Sequence, residues 1–486
     1  MMPPTVVNTI IVGGGHAGVN LACLLELQQE KNMGVGVSRP DYLILEKENT
    51  LLSKWRDQRW DNFQMNTPII FCRMYGQKET EASVSGKVRD DWLLDRPLED
   101  DLAAWDAHIE ALNIMDHAKL QSKVVSVEPQ SDGSFETIVV DVSTSNVETP
   151  KSPSTSTAAT RHSYKSKNVV VCNGYCDHNI VPKHLSDALP TSVKQHMTGG
   201  FQYKDLQPGN ILIVGSSQSG VQLGQLLLEH NASEEQRRQI YLSCSSAGGC
   251  PRSYRGKDIY YWLDKMKFLY IPREALAGMP PEKATALRYG GSGSPVTGPH
   301  RAISPFSLER QGVMLTGRLI DVVDQRTIKF KNDRGPSLRA AKAGHDKIVN
   351  MIHDFVSKNL EGEGDNPTEE VEQFDPFVPE PEWEITNESL LSDENTGPLS
   401  LDLEQSNITN LLWAVGWASN FDWLKIDMSP DTNKEFDAKT NLPAQIISER
   451  YPGLFFAGYP WVGTIQSMNI ANMDYDSQII ADHLRT

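Results

Sequence analysis

The sequence lacks a long hydrophobic run. Hydrophobic residues make up 39% of its 486 positions, but no stretch approaches the ~20 consecutive apolar residues that a membrane-spanning helix needs. We therefore expect no membrane span. Strand-like residues begin at Val6, which leaves no room for the charged and apolar regions of a signal peptide. A cytoplasmic location is the expectation from these two absences.

Positive charge, cysteine and metal-ligand spacing are also scarce. The formal net charge is −17, and so acidic a chain lacks the basic surface that nucleic-acid phosphates require. Six cysteines are scattered too widely for a disulfide framework. The histidines show no metal-ligand spacing, and there is no G-x-S-x-G nucleophile motif. The expected partner is a small molecule and not nucleic acid, no metal site is predicted, and a homodimer stays open.

Glycines follow the first predicted strand at the spacing used to bind dinucleotides. The strand Val6 to Val12 is rich in β-branched residues, and apolar residues at helical spacing come after it. GGGHAG between them has the pattern G-x-G-x-x-G, whose glycines permit a tight turn, close approach of a pyrophosphate and close helix packing. The candidate cofactor contacts at this turn are Gly13, Gly15, His16, Ala17 and Gly18.

The next predicted strand, Asp41 to Leu45, ends at an acidic residue. Glu46 stands at its tip, where a carboxylate is placed to accept hydrogen bonds from ribose hydroxyl groups. Strand, glycines, helix and acidic tip together predict a dinucleotide site, and its position near the N-terminus favours FAD. Lys47, directly after the tip, is a further candidate contact.

The same order of strand, glycines and helix returns in the middle of the chain. A strand over Asn210 to Val214 meets GSSQSG, and another strand is predicted at Gln239 to Ser243. Ser217 occupies the position at which the middle glycine is usual. A pyrophosphate would therefore bind slightly farther from the backbone of the turn, or serine hydroxyl groups would hold it. The candidate contacts here are Gly215, Ser216, Ser217, Gln218, Ser219 and Gly220.

The residues after this second unit favour NADPH over NADH. No acidic residue lies between Gln239 and Cys250, whereas Arg252, Arg255 and Lys257 follow. An acid would favour a free ribose 2′-hydroxyl, while guanidinium groups favour a 2′-phosphate. A solvated basic loop is the alternative explanation of these cations.

An aromatic and basic segment, Ser53 to Pro68, follows the first unit. Its composition suits a wall against a planar cofactor and its phosphates. Trp55 and Arg59 are candidate cofactor contacts, while structural packing explains Trp60 and Phe63 equally well.

The rest of the chain predicts a nested arrangement. Lys123 to Val142 alternates like sheet and carries the candidate contact Val125, Asn146 to Lys167 reads as a solvated loop, and Glu361 to Glu404 as an irregular surface excursion. The predicted fold class is α/β, with two nested Rossmann-like dinucleotide-binding domains, the FAD domain discontinuous and the NADPH domain inserted. The expected bounds are 1–200 and 405–486 for the FAD-binding domain and 201–404 for the NADPH-binding domain.

Four ordered segments resemble the class B flavoprotein monooxygenases, among them flavin-containing monooxygenases, YUCCA-type enzymes, N-hydroxylases and Baeyer–Villiger enzymes. VVVCNGY (169–175) and LLWAVGWASNFDWL (411–424) are similar to the family's two linker strands, with Asn173 in place of the usual Thr. GLFFAGYPWVGT (453–464) is similar to the closing FAD segment, and PRSYRGKDIYYWL (251–263) to the basic segment after the second unit. The resemblance covers nearly the whole chain, and its segments supply the candidate cofactor contacts Asn173, Gly174, Gly416 and Gly458.

The resemblance implies an enzyme in which NADPH reduces FAD and the reduced flavin captures O2 as a hydroperoxide, which transfers one oxygen atom to a small organic substrate. Asn66, in an Asn-x-Pro pattern ending at Pro68, matches the asparagine that this family places beside the flavin, and is the candidate catalytic residue. The family signature around His196 is incomplete, so no role is carried over to that histidine.

Two other functions stay open. One is an NADPH-dependent flavoprotein reductase without oxygen insertion, although Cys172 and Cys176 have three intervening residues and read better as buried inert thiols than as a redox pair. The other is a sensor that binds both cofactors without turnover, for which Ser217 and the incomplete signature around His196 give mild support.

Overall fold

The computed structural model describes residues 3–32, 41–77, 96–143, 160–231, 237–245, 248–289, 298–299, 301–359, 374–394, 397–428 and 435–485. The described strands are β1 (Thr5–Val12), β2 (Tyr42–Leu45), β3 (Ala118–Lys119), β4 (Ser122–Pro129), β5 (Phe135–Asp141), β6 (Arg161–Val171), β7 (His178–Asn179), β8 (Lys194–Met197), β9 (Asn210–Val214), β10 (Ile240–Ser243), β11 (Ser253–Tyr254), β12 (Lys257–Asp258), β13 (Met314–Thr316), β14 (Leu319–Val323), β15 (Thr327–Phe330), β16 (Ser400–Asp402), β17 (Ile408–Trp413), β18 (Trp417–Ala418) and β19 (Leu454–Phe456).

The described α-helices are α1 (His16–Asn32), α2 (Ser53–Arg56), α3 (Leu98–Ala111), α4 (Lys183–Ser186), α5 (Gln218–Asn231), α6 (Ile259–Lys265), α7 (Pro281–Tyr289), α8 (Pro305–Arg310), α9 (Arg334–Asn359) and α10 (Met473–Leu484). Short 3₁₀ helices cover Ile69–Phe71, Ile114–His117, Tyr203–Asp205, Phe268–Tyr270, Arg273–Gly278, Pro381–Trp383, Glu388–Leu391 and Ile470–Asn472.

The first sheet collects strands from both ends of the chain. Its order is β3-β2-β1-β6-β5-β4, and β19 pairs with the C-terminal half of β6. Pairs among β1, β2, β3, β6 and β19 are parallel, whereas β4, β5 and the start of β6 are antiparallel. Ile10 to Val12 of β1, Val169 to Val171 of β6 and all of β19 are apolar and buried, as expected where a parallel sheet is covered on both faces.

The second sheet has the order β13-β10-β9-β17-β8, and all of its pairs are parallel. The central strands β9 and β17 are buried along most of their length, and α5 packs beside them with Val221, Leu223 and Leu227 in the core. The mixed α/β class with parallel sheets is therefore confirmed.

Two strands of the second sheet come from chain segments that the expected bounds give to the FAD-binding domain. They are β8, before residue 200, and β17, after residue 405. β7 and β18 form a two-stranded antiparallel ribbon. In the sequence, β7 lies between β6 of the first sheet and β8 of the second, and β18 lies between β17 of the second sheet and β19 of the first. Sheet membership thus places the crossings between β6 and β8 and between β17 and β19.

Two loop predictions are corrected. The stretch Asn146 to Lys167 is not a loop throughout, because Arg161 to Lys167 belong to β6 and pair with β5 and β1; residues 144–159 lie outside the described part. The segment 361–404 is not a surface excursion throughout, because Trp383 and Leu390 are buried. Residues 361–373 and 395–396 lie outside the described part.

Candidate cofactor and active site

The first glycine turn, between β1 and α1, is shaped by contacts that only glycine allows. Gly13 has a φ of +109°, and a Cβ there would lie 2.5 Å from the carbonyl oxygen of Cys172. A Cβ at Gly18 would lie 2.1 Å from the carbonyl oxygen of Gly13, whereas a Cβ at Gly15 would meet no described heavy atom within 4 Å. The turn is therefore tight at its two ends and open in the middle.

Glu46 lies directly against this turn. Its Oε2 accepts the N–H of Gly14 at 2.7 Å, and its Oε1 accepts the N–H of Glu48 at 2.9 Å. Burial raises the pKa of Glu46, and the two N–H donors act in the opposite direction. Lys47 turns away and pairs with Asp177 at 2.7 Å.

His16 and Ala17 begin α1 at the open side of the turn. Both ring nitrogens of His16 are buried without a hydrogen-bond partner among the described residues, its ring meets the edge of Trp105 at 5.0 Å, and burial lowers its pKa to about 3. Ala17 touches the closing segment, because a Cβ on Gly458 would come within 2.8 Å of the Ala17 Cβ. The first turn and the C-terminal segment therefore meet here.

Arg59 has no carboxylate partner among the described residues and packs against two aromatic rings. The guanidinium of Arg59 is 4.0 Å from the ring centre of Trp55 and 4.9 Å from that of Phe63. Its Nε is buried without a hydrogen-bond partner among the described residues, and burial lowers its pKa to about 10. Trp55, Arg59 and Phe63 thus form one packed cluster, and contact of this cluster with a cofactor stays a prediction.

The linker residues lie at the end of β6. Asn173 donates to the carbonyl oxygen of Asn420 at 3.2 Å and accepts the hydroxyl of Tyr459, and Gly174 has a φ of +80°. Val125 is the extra residue at a register shift in the β4–β5 ladder, where a bulge leaves backbone groups outside the ladder.

The second glycine turn, between β9 and α5, repeats the geometry of the first. Gly215 also has a φ of +109°, and a Cβ there would lie 2.4 Å from the carbonyl oxygen of Ala414; a Cβ at Gly220 would lie 1.9 Å from that of Gly215. Ser217, Gln218 and Ser219 are half-buried at the start of α5.

Ser216 is bonded inside the protein. Its Oγ accepts the N–H of Ser245 at 2.8 Å and donates to the carbonyl oxygen of Ser245 at 3.1 Å. This hydroxyl therefore ties the second turn to the end of β10, as Glu46 ties the first turn to the end of β2. Gly416 follows β17 with a φ of +105°, and its carbonyl oxygen accepts the N–H of Ile180.

Asn66 accepts hydrogen bonds from two residues that are distant in the sequence. Its Oδ1 accepts a hydrogen bond from Gln222 Nε2 at 2.8 Å, and its backbone oxygen accepts one from Arg252 Nη1 at 3.0 Å. Gln222 belongs to α5, the helix of the second turn. The structure thus brings the candidate catalytic residue to the second turn, a contact that the sequence analysis missed.

Arg252 and Arg255 have different surroundings. Arg252 is 4% exposed and pairs with Asp258 at 2.5 Å, so it is not a solvated loop residue. Arg255, at the tip of the β11–β12 hairpin with a φ of +48°, donates to the carbonyl oxygen of Asp375 at 2.8 Å. Contact of either residue with a 2′-phosphate stays a prediction.

His196 is a buried residue of the second sheet. It lies on β8, its Nε2 is 3.2 Å from Asn410 Oδ1, and burial lowers its pKa. The described cysteines are free thiols, and burial raises the pKa values of Cys172 and Cys176. A raised thiol pKa disfavours the reactive thiolate.

The described residues fit a flavin dinucleotide at the first turn. The open position at Gly15 leaves room for a pyrophosphate. The Arg59 Nε is a donor, and the two nitrogens of the neutral His16 ring are one donor and one acceptor, that the described residues do not satisfy. Among the described helices none combines the length and apolar character needed to cross a membrane. Within the described ranges there is no cluster of three or more His, Cys, Asp or Glu arranged to hold a metal ion.

The fold is that of flavin monooxygenases, and it is shared with a disulfide reductase. The S-allyl-L-cysteine S-oxygenase of Allium sativum matches with a TM-score of 0.52 and 13% identity over 99% of this chain and 78% of its own. The flavin-containing monooxygenase of Stenotrophomonas maltophilia matches with a TM-score of 0.50 and 12% identity over 99% of both chains. The bacillithiol disulfide reductase Bdr of Bacillus cereus matches with a TM-score of 0.51 and 11% identity over 99% of both chains. The predicted resemblance is therefore confirmed at the level of the fold.

Sequence similarity points to the oxidoreductases. The chain is 23% identical to the uncharacterized oxidoreductase CzcO of Bacillus subtilis over 327 residues, which are 67% of this chain and 76% of the relative. It is 24% identical over 273 residues to the CzcO of Bacillus velezensis, and this match spans 56% of this chain and 64% of that relative. No protein-family model matches the chain.

Proposed function

We propose that this protein is a FAD- and NADPH-dependent monooxygenase that inserts one oxygen atom from O2 into a small organic substrate. The observation that supports this best is that Asn66, which follows the first β-α-β unit, accepts hydrogen bonds from two residues of the second unit and its following segment. These are Gln222 of α5 and Arg252 after β10. A reaction between a reduced nicotinamide and a flavin needs both cofactors at one place, and Asn66 stands at such a junction.

The first turn is the proposed FAD site. Gly13, Gly15 and Gly18 with the start of α1 would receive the pyrophosphate, and Glu46 would accept the ribose hydroxyls once its bond to Gly14 adjusts. Residues 1–200 and 405–486, apart from β8 and β17, which belong to the second sheet, supply this domain in the proposal. Arg59, which has no carboxylate partner among the described residues, would lie against an anionic part of the cofactor.

The second turn is the proposed NADPH site, in a domain within residues 201–404. Gly215 and Gly220 permit the same turn as in the first unit. No carboxylate stands after β10, where Ser245 occupies the tip, and this favours a 2′-phosphate over a free 2′-hydroxyl. A cytoplasmic enzyme that takes a small-molecule substrate fits this arrangement.

Bound FAD, reduced by NADPH, would supply the oxygen activation. The protein's own contribution would be placement. Gln222 Nε2 occupies Asn66 Oδ1, so the Asn66 Nδ2 hydrogens would be directed toward the reaction space as donors for a developing negative charge on oxygen. A neutral donor stabilises such a charge without adding a titrating group to the site.

The second candidate function is an NADPH-dependent reductase. The fold that the chain shares with bacillithiol disulfide reductase does not favour this function, because its TM-score of 0.51 lies between the values of 0.50 and 0.52 for the two monooxygenases. The raised pKa values of the Cys172 and Cys176 thiols disfavour a dithiol centre in this chain, so an electron acceptor other than these cysteines would be needed.

Stopped-flow absorbance separates the two functions. The FAD-loaded protein is reduced with NADPH without oxygen and then mixed with oxygenated buffer. A transient near-ultraviolet band that precedes the return of oxidised flavin, and that a substrate shortens, is expected for the monooxygenase. Reoxidation without this band would support the reductase. Asn66→Ala should shorten the life of the band at unchanged FAD content, whereas Asn359→Ala, at the exposed end of α9, serves as the matched control.

A further inference from the structure

The Arg252 side chain connects segments that are far apart in the sequence. Its Nη1 donates to the backbone oxygen of Asn66 at 3.0 Å and to that of Gly298 at 3.1 Å, and its Nη2 pairs with Asp258 Oδ2 at 2.5 Å. The side chain is 4% exposed. Its charge and both Nη1 hydrogens are therefore already used inside the protein.

The partners of Arg252 are themselves fixed. Asp258 caps the N-terminus of α6, with Oδ1 accepting the N–H of Tyr260 at 2.8 Å. Glu380 Oε1 accepts the backbone N–H groups of Arg252 and Ser253, each at 2.7 Å. Arg252 is thus held at its backbone by one carboxylate and at its guanidinium by another.

These surroundings do not suit a phosphate. Arg252 lines a cavity of about 440 Å³ whose walls also carry Asp258, Glu380, Glu382 and Arg301. Three acidic residues and two arginines line this cavity, so the formal charge of its lining is negative and disfavours an anion. The Nε of Arg252 is buried without a hydrogen-bond partner among the described residues, but a phosphate that took the place of Asp258 on the guanidinium would leave that buried carboxylate without its partner at a large cost.

We propose that Arg252 is a positioning residue that fixes the backbone of Asn66, and that it does not bind the 2′-phosphate of NADPH. This inference rests on the proposed function, in which Asn66 is the catalytic residue. The guanidinium acts through the Asn66 carbonyl oxygen, while Gln222 orients the Asn66 amide. The backbone and the side chain of Asn66 are thereby positioned by two separate residues, Arg252 and Gln222. A displacement of about 1 Å at such a group costs up to about 100-fold in rate.

Arg252→Gln and Arg252→Lys test the proposal. Glutamine removes the charge, and lysine keeps the charge but cannot form the guanidinium fork. The matched control is Arg326→Gln, which breaks an Arg–Asp pair of the same 2.5 Å length on the exposed β14–β15 turn. Three measurements are made on each: NADP⁺ and NAD⁺ affinity by calorimetry, hydrogen exchange of residues 64–72, and turnover, alone and combined with Asn66→Ala.

Arg252→Gln is expected to speed exchange in residues 64–72 by about 10-fold or more and to lower kcat by about 10- to 100-fold, with both nucleotide affinities changed less than about 2-fold. The effect on kcat should vanish in the Asn66→Ala background, because residues that act through one another are not additive. Arg326→Gln should change none of these values. If Arg252→Gln does not fold, Arg252→Lys and Asp258→Asn replace it, with the same exchange pattern expected.

Selective loss of NADP⁺ affinity by about 10-fold or more, with NAD⁺ unchanged, would overturn the proposal in favour of phosphate binding. Unchanged exchange in residues 64–72, or effects on kcat that add to those of Asn66→Ala, would also overturn it. Hydrogen exchange and nucleotide affinity do not need oxygen insertion. A wild-type protein without the transient band would therefore refute the proposed function while leaving the role of Arg252 measurable.

Discussion

The two glycine turns are built alike at their ends and differently in their middles. In each, the first glycine has a φ of +109° and packs on a carbonyl oxygen of the neighbouring strand's end, Cys172 for Gly13 and Ala414 for Gly215. In each, the last glycine packs on the carbonyl oxygen of the first. These positions are fixed by the crossing of strand and helix, whatever the turn binds.

The differences lie where a ligand would be. The middle position is Gly15 in one turn and Ser217 in the other. The charged Glu46 ties down the first turn, and the neutral pair of Ser216 with Ser245 ties down the second. The comparison teaches that the close approach of strand and helix requires the terminal glycines, whereas the middle residue and the residue at the strand tip differ between the two turns.

The largest expected effect is a loss of stability when the first glycine of either turn is replaced, because Gly13 and Gly215 pack in the same way. Gly13→Ala and Gly215→Ala should each lower the free energy of unfolding by about 3 kcal/mol or more, because a Cβ would meet a backbone oxygen at 2.5 or 2.4 Å in a left-handed conformation. Urea unfolding measures both. Gly15→Ala, the matched control, should cost less than about 1 kcal/mol in stability while weakening FAD binding. Wild-type stability of either end variant would break the comparison.

The charged tip of the first turn predicts the next effect. In Glu46→Gln an amide NH2 replaces one carboxylate oxygen, so it faces the N–H of either Gly14 or Glu48 and cannot accept a hydrogen bond from it. A hydrogen bond to a charged group contributes about 1.5–3 kcal/mol to stability. FAD affinity, followed by flavin fluorescence, should fall about 10- to 100-fold. Glu48→Gln keeps the same backbone donor and should bind FAD as the wild type does. Equal loss in both variants would contradict the assignment.

A carboxylate at the second tip should make the two turns more alike. Ser245→Asp keeps the backbone bonds to Ser216 and places a negative charge near a 2′-phosphate. The ratio of kcat/KM for NADPH to that for NADH should fall about 10-fold. Ser245→Asn, of the same size without charge, should leave the ratio near its original value. An unchanged ratio in Ser245→Asp would place the 2′-phosphate elsewhere.

The smallest expected effect concerns the closing segment at the first turn. Burial raises the pKa of Asp476 to about 8, and Asp476 accepts from Ser467 at 2.8 Å and from the N–H of Gly458 at 3.4 Å. A carboxyl with a raised folded pKa contributes stability at low pH that is lost as the pH rises toward that value. The Tm of Asp476→Asn should therefore rise relative to wild type between about pH 5 and pH 8, on the order of 2 °C. Asp482→Asn, exposed on the same helix, should show no such trend.

Local patterns predicted the strands on either side of the second glycine turn. The predicted strand Asn210 to Val214 agrees with β9, and the predicted strand Gln239 to Ser243 agrees with β10 apart from its first residue. Both rest on short-range periodicity. The loop prediction for Asn146 to Lys167 was wrong at its end, because β6 keeps polar residues where it pairs with β5 near the surface.

The glycine turns were readable because their residues are adjacent in the chain. The hydrogen bonds from Gln222 and Arg252 to Asn66 join residues that are 156 and 186 positions apart. No local sequence pattern predicts such pairs. Gly256 was a usable turn signal for the β11–β12 hairpin, whose register pairs Ser253 with Asp258 and so brings Asp258 close to the neighbouring Arg252.

The placement of β17 and β19 has a consequence for synthesis. β17 is bonded between β9 and β8, and β19 is bonded to β6, about 200 and 280 residues after their partners. Neither sheet is complete while the ribosome has made only the first 400 residues. The nascent chain therefore carries two unfinished sheets with open strand edges, and its exposure to aggregation lasts until the final segments emerge.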